Sequence, residues 1–114
     1  MHIDSYRFGS IVIDGKTYNN DCLIVGGTVK DNWWRTEGHL LKPEDLEEVI
    51  AAKPAVLIIG CGAYGVMKIS PDTMDALRRA QIMYDALKTD QAVDKFNEHT
   101  AAGRDVAAAL HLTS

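Results

Sequence analysis

Basic clusters are missing from this chain. Its 12 lysines and arginines are outnumbered by 16 aspartates and glutamates, giving a net charge of −4, and no basic run exceeds the pair Arg78-Arg79. A nucleic-acid binder needs such a cluster to neutralise phosphates, so nucleic acid is excluded as a partner. Long apolar runs are absent too: nothing approaches the roughly 20 residues that cross a bilayer, and the opening MHIDSYRFGS has neither the basic segment nor the apolar stretch of a secretory leader. A membrane partner is therefore not expected, and a cytoplasmic location is. Cysteine is scarce. Cys22 and Cys61 lie in or beside apolar runs, make no C-x-x-C pair, and read as two buried free thiols. The four histidines, His2, His39, His99 and His111, show no i, i+3 or i, i+4 pairing with one another or with cysteine, so no metal and no cofactor is expected.

What is present is an ordinary globular composition. With 46% hydrophobic and 25% charged residues over 114 positions, the chain can bury one core and is too short for two ordinary domains, so residues 1–114 read as a single domain. It is organised around Ala55 to Ser70, AVLIIGCGAYGVMKIS. Ala55 to Ile59 is an apolar run without alternation, which predicts a central strand covered on both faces. The glycine loop Gly60 to Gly65 leaves at the carboxyl end of that strand, where open α/β sheets bind ligands.

Before this stretch the pattern is antiparallel sheet. Ile3 to Ile13 alternates imperfectly, with a break at Gly9, and Asp14-Gly15 supplies a hairpin turn to Lys16–Tyr18. Cys22–Val25 is a further strand, and Gly26-Gly27 marks a bulge or bend before Thr28–Lys30. Of the adjacent Trp33 and Trp34, an extended backbone buries one and exposes the other; Trp33 is taken as the exposed aromatic. Pro43 at a first helical position and the stripe Leu46, Val49, Ile50 predict a helix to Ala52.

After the loop, helix and strand alternate. Val66 to Ile69 reads as a short strand, and Ser70-Pro71 starts a helix with serine as N-cap. Ile82 to Leu87 reads as a strand, Thr89 as the cap of a last helix ended by Gly103, and Val106 to Leu112 as the closing strand. The fold class is α/β: a mixed β-sheet with antiparallel N-terminal strands and helices packed on it.

Gly60-Cys61-Gly62-Ala63-Tyr64-Gly65 satisfies G-x-G-x-x-G after a strand, and Asp85 stands where a ribose-binding acid would. The dinucleotide mechanism, however, needs a helix N-terminus at the third glycine to hold the pyrophosphate. Pro71 follows six residues after Gly65. A helix running on from the loop would carry that proline inside it, at roughly 3 kcal/mol. A tight turn, or a nest of backbone amides for a smaller anion, fits better. Cys61 as a nucleophile has no base at a supporting spacing, so no catalytic residue is assigned.

Tyr6-x-Phe8-Gly9, Asp21, Trp34-Arg35-x-x-Gly38-His39, Ile58-Ile59-Gly60-Cys61-Gly62, Thr89-x-x-Ala92-x-x-x-Phe96-Asn97 and Val106-Ala107-x-x-Leu110-His111-x-Thr113 together carry a resemblance across essentially the whole chain. They resemble a family of small proteins that includes an archaeal hypothetical protein, the adipogenesis-associated cytosolic protein of animals and a mitochondrial complex I assembly factor. The resemblance implies a single α/β domain with a mixed sheet and, for some members, assembly or regulation through other proteins. Cys61 stands where the family usually has threonine and Phe96 where it has tyrosine, which argues further against a catalytic thiol at residue 61. A mitochondrial role is not implied without a transit peptide.

Two functional classes follow. The first is a non-enzymatic binding or assembly module acting on a protein partner. The second is a small-anion or metabolite-binding domain, open to being enzymatic, with its site at the Gly60–Gly65 loop; its candidate ligand-binding residues are Gly60, Cys61, Gly62, Arg35, His39 and Lys68. In either class NAD and NADP at micromolar concentration are expected to leave tryptophan fluorescence and the thermal midpoint unchanged. A midpoint rise of several degrees would instead make the glycine pattern a true cofactor site.

Overall fold

A computed structural model describes residues 1–114. The apolar run forms a strand over Val56–Cys61, two residues further than the sequence places its end, so Gly60 and Cys61 belong to the strand and the loop proper begins at Gly62. In chain order the elements are β1 (Ile3–Arg7), β2 (Ser10–Ile13), β3 (Lys16–Tyr18), β4 (Cys22–Val25), β5 (Thr28–Lys30) and β6 (Leu40–Leu41). A 3₁₀ turn at Pro43–Leu46 leads into α1 (Glu47–Ala52). There follow β7 (Val56–Cys61), β8 (Lys68–Ile69), α2 (Pro71–Arg79), β9 (Met83–Leu87), α3 (Thr89–Ala101) and β10 (Val106–His111).

The main sheet has five strands in the order β5-β4-β10-β7-β9. β10 is parallel to β7, with Val106 opposite Val56 and His111 opposite Cys61. β9 is parallel to β7 on its other side, while β4 runs antiparallel to β10. The middle strand is thus β10, with β7 its neighbour. β10 suits the place because Ala107, Ala108 and Ala109 are buried and small enough to let both covering layers approach. Along β7, Ile58 packs with Ile3, Ile24 and Phe96 on one face, whereas Leu57 and Ile59 pack with Leu41, Val49 and Leu77 on the other. The chain is a single α/β domain with a mixed sheet and two apolar layers. No helix is long and apolar enough to cross a membrane.

β1, β2 and β3 form a separate antiparallel sheet. Asp14-Gly15 makes the expected turn, with φ of 48° and 79°, but Gly9 at φ 77° also turns the chain, so Ile3–Ile13 is two strands. Of the bulge or bend expected at Gly26 and Gly27 it is a bend: at φ 57° and 74° they form a two-residue hairpin turn between β4 and β5. The small sheet is tied down by Asn97, whose side chain accepts from Ile3 N–H at 2.9 Å and donates to Ile3 C=O at 2.8 Å.

Ser70 caps α2 as expected, accepting from Thr73 N–H at 3.2 Å. Thr89 does not cap α3. It is the first helical residue, and its hydroxyl donates to His111 C=O at 2.6 Å while accepting Gly62 N–H at 2.9 Å. The expected strand Val66–Ile69 is only Lys68–Ile69, paired in parallel with β6. Between Gly62 and β8 the chain turns without entering a helix, so no helix runs on from the three glycines; the helix start that does abut them is that of α3, through Thr89. Asp85 is half-buried on β9, opposite Ile58.

Gly62 has φ of +100°, and a Cβ there would sit 2.7 Å from Thr113 O and 2.9 Å from His111 Cδ2. Gly62→Ala is expected to destabilise the fold by about 2–4 kcal/mol, from backbone strain plus overpacking. Urea unfolding checks this, and a variant of wild-type stability would refute the constrained turn.

Candidate functional site at the carboxyl end of the sheet

Asp21 immediately precedes β4, which runs antiparallel to β10, so its carboxylate lies at the end of β10. Oδ1 accepts Leu112 N–H at 2.7 Å, and Oδ2 lies 2.7 Å from His111 Nδ1 and 2.8 Å from Arg35 Nη1. Burial opposes the charge on Asp21, but hydrogen bonds from His111, Leu112 and Arg35 outweigh it and hold the carboxyl below its usual range.

Arg35 is fixed from several sides. Nε donates to Gly38 C=O at 3.0 Å, Nη2 lies 3.0 Å from His111 Nδ1, and the guanidinium carbon stands 4.9 Å from the Trp33 ring centre. Nη1 approaches Asp21 Oδ2 to 2.8 Å as a close ion pair. Trp33 is half-buried, with one face covered by Arg35 and its indole N–H donating to Asp45 C=O at 2.9 Å. Trp34 is therefore the exposed tryptophan, at 82%, which corrects the expectation for Trp33.

His111 is buried with both ring nitrogens engaged. Nε2 donates to a backbone oxygen of Ser114 at 2.9 Å, and Nδ1 lies between the Asp21 carboxylate and Arg35. Either state of Nδ1 finds a partner: a lone pair accepts from Arg35, and an N–H donates to Asp21. The arrangement orders the end of the sheet.

The structure divides the six candidate residues. Arg35 and His39 meet at His111, with the His39 ring edge-on to it at 5.7 Å. Cys61 and Lys68 instead line a separate cleft of about 490 Å³. Gly60 and Gly62 are buried between them as backbone positions where a side chain will not fit; a Cβ on Gly60 would meet Thr89 Oγ1 at 2.9 Å. Burial pushes the Cys61 thiol up, with Lys68 only partly opposing, and Cys22 is raised to about 12, chiefly by burial. Neither cysteine is a ready thiolate.

Sequence reasoning missed Asp21 and His111 as site residues. They lie 90 positions apart, and no spacing rule links them. The available signal was polar: an aspartate directly before one buried strand and a histidine ending another.

Residues 3–111 match the family model described as a protein of unknown function, DUF498/DUF598. The chain belongs to that family. The solved structure MT938 is 30% identical, covering 99% of this chain and 98% of its own, with a TM-score of 0.83. The conserved hypothetical protein PH1505 from Pyrococcus horikoshii OT3 is 26% identical over the full length of both chains, with a TM-score of 0.81. The Rpa2829 protein from Rhodopseudomonas palustris is 30% identical, covering 95% of this chain and 80% of its own at a TM-score of 0.70. These likenesses establish family and fold.

Removing the charge at the centre of the network gives a pH signature. Asp21 has a depressed folded-state pKa, so its contribution is complete above the unfolded value near 4 and is lost as pH falls through the folded value. Asp21→Asn is expected to cost about 3 kcal/mol at pH 7, because Arg35 loses its counter-charge. The gap to wild type should shrink below about pH 4. Urea unfolding at pH 7, 5 and 3 checks this; a gap independent of pH would refute it.

Proposed function

We propose that this chain is a non-catalytic binding module acting through protein contacts, with its contact surface on the aromatic rim at the carboxyl end of the main sheet. The observation that carries this reading is the exposure of Trp34, Tyr64 and Phe8, at 82%, 69% and 58%, around one point of the fold. The Phe8 and Tyr64 rings stand 6.3 Å apart. Thr113 joins them to Trp34: its carbonyl accepts Ala63 N–H at 2.7 Å, and Thr113 and Trp34 line the same cleft. Exposed aromatics on a rigid support are the usual anchors of protein interfaces, because they bury large areas at little entropic cost.

The buried thiol of Cys61 and the doubly engaged His111 support a binding role over a catalytic one. The resemblance to an assembly factor and to the adipogenesis-associated cytosolic protein points the same way by analogy, as one fold hosts many functions. The proposal also places the protein in the cytoplasm, in keeping with free Cys22 and Cys61.

A tagged chain should retain a specific partner from its own cells, and titration of the purified partner then gives an affinity. Trp34→Ala is expected to weaken that affinity about ten-fold or more while costing under about 0.5 kcal/mol of stability, since the residue is mostly exposed. Unchanged affinity in a Trp34→Ala/Tyr64→Ala double variant would overturn the assignment of the rim.

A further inference from the structure

The second cleft shares Tyr64 with the aromatic rim but carries an inference from other residues. It is an open cleft of about 490 Å³ between β8, the end of β9 and the first turn of α3, a volume within the range of small-molecule sites. Its walls are mainly apolar, with Met67, Ile69, Met74 and Leu87, and two lysines, Lys68 and Lys88, stand among them. No aspartate or glutamate lines it, on a chain where acids outnumber bases 16 to 12. Neither lysine has a carboxylate within ion-pair reach, whereas Lys30 and Lys42 are paired with Glu48 and Glu37. Gln91, in the first turn of α3, also lines the cleft; Asp90 in the same turn offsets the positive end of that helix, so the positive charge of the cleft is that of the two lysines.

We propose that this cleft binds a small aliphatic carboxylate, with Lys68 and Lys88 holding the anionic head and the methionine-lined wall holding the chain. The lysines are mobile point charges and lack the fork of an arginine, so they set the sign of the ligand more than its geometry. The apolar wall gives no return to a bare inorganic anion, and a long-chain head group is not required by charge alone. Met74, exposed at the edge of the cleft, adds an unbranched, adaptable side chain that suits a flexible alkyl body better than a rigid ring, over a floor that includes the buried Met67. The site lies beside the glycine turn, but its chemistry comes from β8, β9 and α3.

The test titrates the intact chain with octanoate, acetate, inorganic phosphate and octylammonium, following amide shifts by NMR and the thermal midpoint. Octanoate should bind about ten-fold or more tightly than acetate or phosphate, since each buried methylene adds affinity. Its shifts should centre on Gly65, Lys68, Leu87 and Gln91, and octylammonium should not compete. Lys68→Gln and Lys88→Gln should each weaken octanoate about three-fold or more and leave the ligand-free midpoint unchanged, because both side chains are exposed. The proposal fails if octanoate binds no better than phosphate, if octylammonium binds equally, if the shifts centre elsewhere, or if the double lysine variant binds octanoate like wild type.

Discussion

A single carboxylate closes this fold. Asp21 stands at the entry to β4, yet its oxygens are taken by Leu112 N–H, His111 and Arg35, so three segments distant in sequence meet on one side chain. Taking that charge out of water is costly, and the cost is offset because Arg35 and His111 are themselves held, by Gly38 and Ser114 respectively. A second polar clasp stands beside it: the Thr89 hydroxyl links His111 C=O to Gly62 N–H, joining α3 to the ends of β7 and β10. The rim aromatics and the lysine cleft both rest on this rigid polar end. Precise placement of either surface depends on it.

The parts of the fold legible in the sequence are those set by local chemistry. Asp14-Gly15 turns because both residues take positive φ, Ser70-Pro71 starts a helix because one accepts an N–H and the other lacks it, and Gly103 ends α3 at φ 74°. What was not legible depends on long-range pairing. The place of β10 in the middle of the sheet is fixed by β4 on one side and β7 on the other; the small residues Ala107 to Ala109 permit that place but do not name the partners. Thr89 shows the same limit: its residue type suits a cap, but its hydroxyl serves a strand 22 residues away.

The candidate site follows the same division. Arg35 and His39 lie close in sequence and meet at one point, but the residue that joins them, His111, arrives from the far end of the chain. Trp33 and Trp34 were separable into one covered and one bare ring by alternation alone. Which was which depended on the Asp45 carbonyl and the Arg35 guanidinium, contacts made only in the folded chain. The glycine motif shows the converse case: the local pattern is complete, but no helix runs on from it, as Pro71 indicates in the sequence. Its glycines serve close packing against Thr89, Leu110 and Thr113.

The order β5-β4-β10-β7-β9 also bears on how the chain acquires its structure during synthesis. The middle strand is the last of the five to be made, and Val106 pairs with Val56 only after the intervening segment has been laid down. Until β10 arrives, β4 and β7 have no common neighbour, and the apolar faces of Ile24 and Ile58 remain open to solvent or to other chains. Sheets dominated by such distant pairings fold slowly, since loop closure must precede the contacts that reward it. The β1-β2-β3 sheet, the β4-β5 hairpin and the β7-β9 pair can form earlier, but the two halves of the main sheet join only when the final strand is in place.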